Sequence, residues 1–514
     1  MILITSGEYI VDELKIEFGK IPPAFLPVGN FRLISHQIKT LEPLHEDEIY
    51  LSLPSSYILK KYDAMILNSN NVNIIRIPAN LSLGESIYYA LNTFKNKVQR
   101  LIILHGDTLI TDIPNEKDFI SVSEEEEQYN WEYENYNNCN IIWCGLFSFS
   151  NITALIQSLE FTNFNFTKAV KLYSKSFFLK RIITTDWSDF GHVVTYYKNR
   201  CRITTQRSFN SLNISNGLVK KSSVNENKIK AEIDWYLNLP INLKLFSPNL
   251  IDFRKESPSY YAIEYLYFPT LSELYVFGEQ SVEFWKNIFT NCFTYLSNSI
   301  YSLDKIRPNT QYISSKSLVV DKTLSRLKEL NESRIWNINE SIILNAIEYP
   351  SLVLITQNLF IHAVDLQELN GYLHGDFCFS NILYDIRSNR IKVIDPRGIN
   401  NDNIILQNGD VYYDLAKLSH SIIGNYDFII AKMYNLQKID KNIYLFEIDI
   451  DERLNNIQKE FIFQLKSKGY NYKKIFSQMI LLFISMVPLH KDNLDRQKAL
   501  ILNAYRLYKI FQTI

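Results

Sequence analysis

Between Met1 and about Arg200, short apolar runs alternate with helix-like stretches, and this rhythm limits the fold more than any other property of the chain. The runs are "MILITS", "EIYLSL", "VNIIRIP", "RLIILHGD" and "NIIWCGLFSFS", with "SLGESIYYALNTFKN" the clearest helical pattern among them. Strands separated by helical segments predict an α/β domain on a mostly parallel sheet. The charged, aperiodic run "SEEEEQYNWEYENYNN" from Ser123 reads as an exposed, solvated loop.

After Arg200 the pattern changes. "CRITTQ", "LNIS", an Asn216-Gly217 turn and "LVKKSS" read as antiparallel strands, because Asn-Gly between strand-like runs is a strong hairpin signal. A helix follows in "NENKIKAEIDWYLNL", with Ile229, Ile233, Tyr236 and Leu237 on one face. "LKLFSP" and "SYYAIEYLYF" are two further strand candidates. From about Leu271 onward long helical patterns dominate, interrupted between Tyr372 and Asp395. No internal repeat and no long Gly/Ser/Pro linker is visible.

A chain of 514 residues exceeds the size of a single core, so two or more domains are expected. Its 46% hydrophobic and 21% charged residues are globular values, and 54 Lys+Arg against 55 Asp+Glu advertise neither a nucleic-acid nor a membrane surface. The N-terminus, "MILITSGEYIVDELKIEFGK", has no basic region and no cleavage site, and reads as a first strand, not a signal peptide. No apolar run approaches the ~20 residues of a membrane span. Cys139, Cys144, Cys201, Cys292 and Cys378 lack disulfide or zinc spacing, so a reducing cytoplasm is expected. Small molecules and nucleotides are the expected partners, with a homo-oligomer left open.

The tetrapeptide Leu-His-Gly-Asp occurs twice, ending at Asp107 and at Asp376. Around the second, "LHGDFCFSNILYDIRSNRIKVIDPRG" spaces Asp376 and Asn381 as in a kinase catalytic loop and sets Asp395 at a strand end. Phosphoryl transfer needs a group to take the acceptor's proton and hard oxygens to hold magnesium against ATP. Lys221 after the Asn-Gly turn and Glu232 in the next helix come in the order of a small-lobe lysine and its helical partner, with Lys220 competing for the strand position. Glu264 falls where the connection to a large lobe would carry adenine contacts.

From about Arg202 onward the chain resembles the aminoglycoside phosphotransferase and choline kinase family, through His374, Gly375, Asp376, Asn381, Ile394 and Asp395. The resemblance implies an α+β, protein-kinase-like bilobal domain over 201–514, with a small lobe at about 201–270 and a large lobe at about 271–514. It assigns Asp376 as catalytic base and Asn381 and Asp395 as magnesium ligands, and Asp410 and Asp414 resemble the segment that buttresses the loop. "RSFNS" lacks the glycines of a phosphate loop, which leaves Arg207 or Ser208 and Ser211 for phosphate.

Asp107 ends a run that should be a buried strand, where ligands of α/β sheets gather. With Gly7, "KIPPAFLPVGNF", "ANLSLGESIYYALN" and "DWSDFGHVVTYY", residues 1–200 resemble the sugar-phosphate nucleotidyltransferases. That implies a Rossmann-like α/β domain that joins a phosphate monoester to a nucleoside triphosphate and expels pyrophosphate. Asp107 and Asp189 would hold the metal, and Gly7, Lys20 and Gly84 would serve nucleotide binding. Pro23 stands where the family usually has Lys, a charge that Lys20 or Arg32 would replace.

The two resemblances together imply a bifunctional enzyme. It would phosphorylate a sugar, polyol or amino alcohol with ATP, then activate the product with a second NTP, for which CTP is favoured. Mg2+ would serve both steps, and the product would feed capsule or other surface polysaccharide. The alternative is a small-molecule kinase carrying an inactive nucleotidyltransferase-like module.

Overall fold

Alternate residues of the first apolar runs face opposite sides of one sheet, and both sides are covered. Ile2, Ile4, Leu51, Leu53, Ile102 and Leu104 join one buried cluster, whereas Leu3, Ile75, Ile77, Leu101 and Ile103 join another. A strand buried on both faces must be apolar throughout, which is why these segments read as continuous runs. The computed structural model describes residues 1–513 except 45–46, 94–99, 125–130, 137–138, 204–209, 304–311, 365–367 and 399–406. They form two compact units: Met1–Thr205 with Phe277–Glu279, and Gln206–Val276 with Gln280–Ile514.

In the first unit the main strands are β1 (Ile2–Thr5), β2 (Ile49–Pro54), β3 (Val72–Ile77), β4 (Leu101–His105), β5 (Phe119–Ser123), β6 (Cys139–Phe149) and β7 (Lys180–Ile183). Their order is β7-β5-β6-β4-β1-β2-β3, with Tyr133–Tyr136 added beside β6. The pairs β4–β1, β1–β2, β2–β3 and β5–β7 are parallel, while β6 runs antiparallel to both neighbours. The sheet is therefore mixed. A doubly buried strand looks the same in either direction, so the sequence carried no signal for the reversal of β6. The run from Ser123 is not all loop either, since Tyr133–Tyr136 pairs with β6.

A buried ion pair fixes the segment between β1 and β2. Arg32, 1% exposed, donates through Nε and Nη2 to the two oxygens of Asp63, at 3.2 and 3.0 Å, and through Nη1 to the Phe25 carbonyl at 2.9 Å. Arg32 is thus a structural cation, not a replacement for the lysine absent at Pro23. Removing one partner of a buried pair strands the other, so Arg32→Ala is expected to lower unfolding free energy by about 3–5 kcal/mol in denaturant titration. A selective loss of nucleotide affinity at unchanged stability would contradict this.

The second unit opens with a four-stranded antiparallel sheet of β8 (Asn210–Ser215), β9 (Leu218–Ser223), β10 (Leu250–Arg254) and β11 (Tyr260–Glu264), in the order β8-β9-β11-β10. Asn216 and Gly217, at φ +50° and +72°, make the turn between β8 and β9. The helix Glu226–Leu237 buries Ile229, Ile233 and Tyr236 as expected, but Leu237 is exposed and Glu232 and Trp235 take the inner face instead. "LKLFSP" forms a 3₁₀ turn at Lys244–Phe246 in place of a strand, and β10 follows it. "CRITTQ" begins not as a strand but as a turn ending the helix Val193–Arg200, the Arg202 amide donating to the Asn199 carbonyl.

The remainder is mainly helical, with long helices at Val282–Leu303, Glu452–Ser467, Tyr472–Met486 and Leu494–Phe511. One segment departs from the expectation that no run is long enough to span a bilayer. Tyr472–His490 has 19 residues at a mean hydropathy of 1.3, and 83% of it is buried inside the protein. Helices packed on all sides read as apolar throughout, so burial accounts for its composition.

Candidate active sites

In the first unit, parallel pairing sets Thr5 of β1 beside His105 of β4. Gly7 and Asp107 therefore leave adjacent strands at the same end of the sheet. Gly106 donates its amide to the Thr5 carbonyl at 2.8 Å, and a Cβ on Gly106 would lie 2.6 Å from that carbonyl oxygen, so the two chains can meet only at glycine. Beyond Asp107 the strand Thr108–Ile110 pairs antiparallel with Trp187–Asp189, in the register Asp189 opposite Thr108. That ribbon brings together two carboxylates far apart in sequence. The Phe190 amide donates to the Asp107 carbonyl at 2.8 Å.

Gly191 lies between the two carboxylates. A Cβ there would meet Asp107 Oδ2 at 2.5 Å and Asp189 Oδ1 at 3.3 Å, so only a glycine leaves this space open. Burial, and next the charge of Asp189, push the Asp107 carboxyl up to about 6. Asp189 accepts the Gly191 amide at 3.2 Å, a hydrogen bond from His192 Nδ1 at 2.8 Å and one from the Thr195 hydroxyl. The bond to Asp189 raises the pKa of His192, whereas burial drives His105 down to about 4 and keeps it neutral near pH 7.

Two crowded carboxylates around an open cradle suit a divalent cation that completes its shell with phosphate oxygens and water. Among the described residues, no group of three or more His, Cys, Asp or Glu could hold a metal by itself. The linkage sign follows from the raised pKa of Asp107. Below about pH 4 its contribution to stability is fully present, and it is lost as pH rises through about 6. The melting temperature should therefore gain more from magnesium at pH 7.5 than at pH 5, and Asp107→Asn should remove that difference.

The remaining candidates of this unit fall elsewhere. Lys20 is exposed, with Nζ 4.4 Å from the centre of the Tyr9 ring. Gly84 sits in the first turn of the helix Leu83–Thr93, where a Cβ would lie 1.9 Å from the Phe164 carbonyl oxygen. Close backbone packing explains that glycine. The helix start is closed by its own capping box, in which the Ser82 amide donates to Glu85 at 2.7 Å and the Glu85 amide to Ser82 at 3.3 Å.

In the second unit Lys221, on β9, donates to Glu232 Oε2 at 2.8 Å and to Asp395, 174 residues further on. Lys221 and Glu232 are buried, and Tyr261 donates to the same Glu232 oxygen at 2.7 Å. Lys220 points the other way on the strand, with Nζ 3.8 Å from the centre of the Tyr260 ring. The two acidic partners raise the pKa of Lys221, and Lys221 lowers that of Asp395, in each case against the effect of burial. Asp395 holds φ at +59°, a left-handed backbone that side chains adopt at a cost.

The Asn381 amide nitrogen donates to the carbonyl and to Oδ2 of Asp376, both at 3.0 Å. Its amide oxygen makes no hydrogen bond among the described residues, which leaves a hard oxygen ligand beside Asp376. Lys417 Nζ lies 2.8 Å from the other oxygen, Oδ1, and holds the Asp376 carboxyl well below the usual range despite burial. Asp414 fixes the loop by accepting the amides of His374 and Gly375, both at 2.9 Å. Gly375, at φ +75°, permits that turn, and burial pushes Asp414 up to about 7. Asp410 is bound by Lys474 at 2.9 Å and by Ser315.

Glu264 is turned to the fold, its carboxylate accepting the Asn249 amide at 2.9 Å and its own amide donating back at 3.1 Å. Arg207 and Ser208 lie outside the described residues, and Ser211 pairs through its backbone with Ser222. Lys417, Lys322, Arg397 and Tyr413 were not singled out from sequence. Only Lys417 carried a signal, standing three residues after Asp414 and so on the same helical face.

No protein-family model matches the chain, and no curated protein matches it. Among solved structures it is similar to HddC from Yersinia pseudotuberculosis, at 18% identity over 39% of this chain and 98% of that one, with a TM-score of 0.29. It is also similar to a putative aminoglycoside phosphotransferase from Ralstonia eutropha, at 11% identity over 60% and 91% of the two chains, TM-score 0.35. Ethanolamine kinase from Plasmodium vivax matches at 13% identity over 59% and 83%, TM-score 0.32.

Proposed function

We propose that the chain is a bifunctional transferase: its second unit phosphorylates a small hydroxyl compound with ATP, and its first joins the phosphate product to a nucleoside triphosphate with release of pyrophosphate. The observation that carries the first activity is the chain of contacts Glu232–Lys221–Asp395 beside the Asn381–Asp376 pair. Lys221 would steady the phosphates of ATP, Asn381 and Asp395 would hold magnesium, and Asp376, kept ionised by Lys417, would take the acceptor's proton. Magnesium there would offset the negative charge of the phosphates.

For the second activity Asp107 and Asp189 would hold the cation, and the glycine cradle at Gly191 would admit it. His192, Thr195 and the Gly191 amide fix Asp189 in place. CTP is the proposed second nucleotide, a cytoplasmic location the proposed setting, and a precursor of capsule or other surface polysaccharide the proposed product. Pro23, in place of a lysine, favours the second reading, a kinase whose first unit binds but does not transfer. A screen of acceptors that follows ADP and pyrophosphate together, with CTP, UTP, GTP and ATP in turn, tests both. Pyrophosphate release that depends on one NTP and on the phosphorylated product supports the bifunctional reading; ADP formation alone leaves the kinase.

A further inference from the structure

Arg506 belongs to the helix Leu494–Phe511, and Leu344, Ile347 and Tyr349 to the antiparallel hairpin of Ile342–Leu344 and Ile347–Tyr349. Together with Lys509 and Ile510 they line a cavity of about 350 Å³, within the range of small-molecule sites. Its walls are mainly apolar. Both charged residues of the lining are cations, and no carboxylate is among them.

The Arg506 guanidinium is only partly engaged. Nε donates to Asn503 Oδ1 at 2.8 Å and Nη2 to the Ile423 carbonyl at 3.4 Å, which ties it to the residue just past the helix Tyr412–Ile422. Nη1 makes no hydrogen bond among the described residues, and no carboxylate among them pairs with Arg506. The groups whose charge acts on it are the phenols of Tyr275 and Tyr349. Burial prevails over them and brings its pKa down to about 10. An arginine withdrawn from water is seldom left without a counter-charge. Asp414, which fixes the catalytic loop, lies in the first turn of Tyr412–Ile422, so Arg506 meets the opposite end of that helix and the cavity is not part of the kinase site.

A neutral occupant would leave the cation as it is, and an amine would add repulsion. A polyanion without an apolar part would leave the walls uncovered. One anionic group on an apolar body answers both, gaining a charge-assisted hydrogen bond from Nη1 and burying carbon against Leu344, Ile347 and Ile510. We propose that this cavity is a binding site for a small amphipathic anion, an apolar body bearing one carboxylate or phosphate, whose charge is met by Arg506 with the exposed Lys509 as a second cation.

The test is a ligand-observed NMR titration of the full chain with four probes of similar size: benzoate, phenyl phosphate, benzyl alcohol and benzylamine. At least one of the two anions should bind about 10- to 100-fold more tightly than benzyl alcohol, the effect of a hydrogen bond to a charged group, and benzylamine should bind weakest. The tighter of the two anions names the acid group. Arg506→Met should remove the preference for the anion, and Lys509→Met should reduce it by less. Because Arg506 also holds the Ile423 carbonyl, its variant is checked by thermal melt; Ile347→Trp, which fills the cavity and leaves the Arg506 bonds in place, should abolish saturable binding independently. Equal binding of benzyl alcohol, no saturable binding by either anion, or anion binding that survives Ile347→Trp would overturn the inference.

Discussion

Asp376→Asn is expected to lower kcat for ADP formation by about 10²–10⁴-fold, the usual contribution of a positioned general base. Pyrophosphate release from a supplied phosphate monoester should continue at the wild-type rate, because the other carboxylates lie in a different unit. The substitution keeps the side-chain volume and the Asn381 contact geometry, so KM for ATP should change little. One ambiguity must be removed by the assay. Lys417 is buried beside Asp376, and losing its carboxylate leaves an ammonium uncompensated. A thermal melt of the variant separates loss of base from loss of fold; full ADP formation in a folded variant would refute the assignment.

The complementary substitution is Asp107→Asn, for which pyrophosphate release should fall about a thousandfold while ADP formation is retained. Removing one of two carboxylates around the Gly191 cradle halves the charge offered to a cation, whose electrostatic support is worth several kcal/mol at a reacting phosphate. The variant should fold at least as well as the parent in the absence of metal, since the burial and the Asp189 repulsion that raise the Asp107 pKa no longer act on a charge. Unchanged pyrophosphate release would refute Asp107 as a metal ligand, and loss of both activities would argue against separable sites.

The catalytic loop was legible because its chemistry is written contiguously: Asp376, Asn381 and Asp395 fall within 20 residues, and the backbone turn at Gly375 needs its glycine. Lys221 and Glu232 could be read from their order on a strand and the following helix. Lys322 and Arg397 beside the Tyr413 phenol could not, since they come from separate segments and nothing in their local sequence marks a shared destination. Arg32 and Gly84 show the converse. Each looked like part of a nucleotide site, yet one answers to Asp63 and the other to the Phe164 carbonyl, contacts across 31 and 80 positions that no local pattern announces. The direction of β6 was equally hidden, for want of a polar face.

The ribbon that sets Asp189 beside Thr108 separates the scaffold of the first unit from its chemistry. Every strand of its main sheet is complete in sequence by Ile183, but the second carboxylate comes only with Asp189. One part of the sequence thus sets the sheet, and a ribbon written after its last strand supplies the second acid.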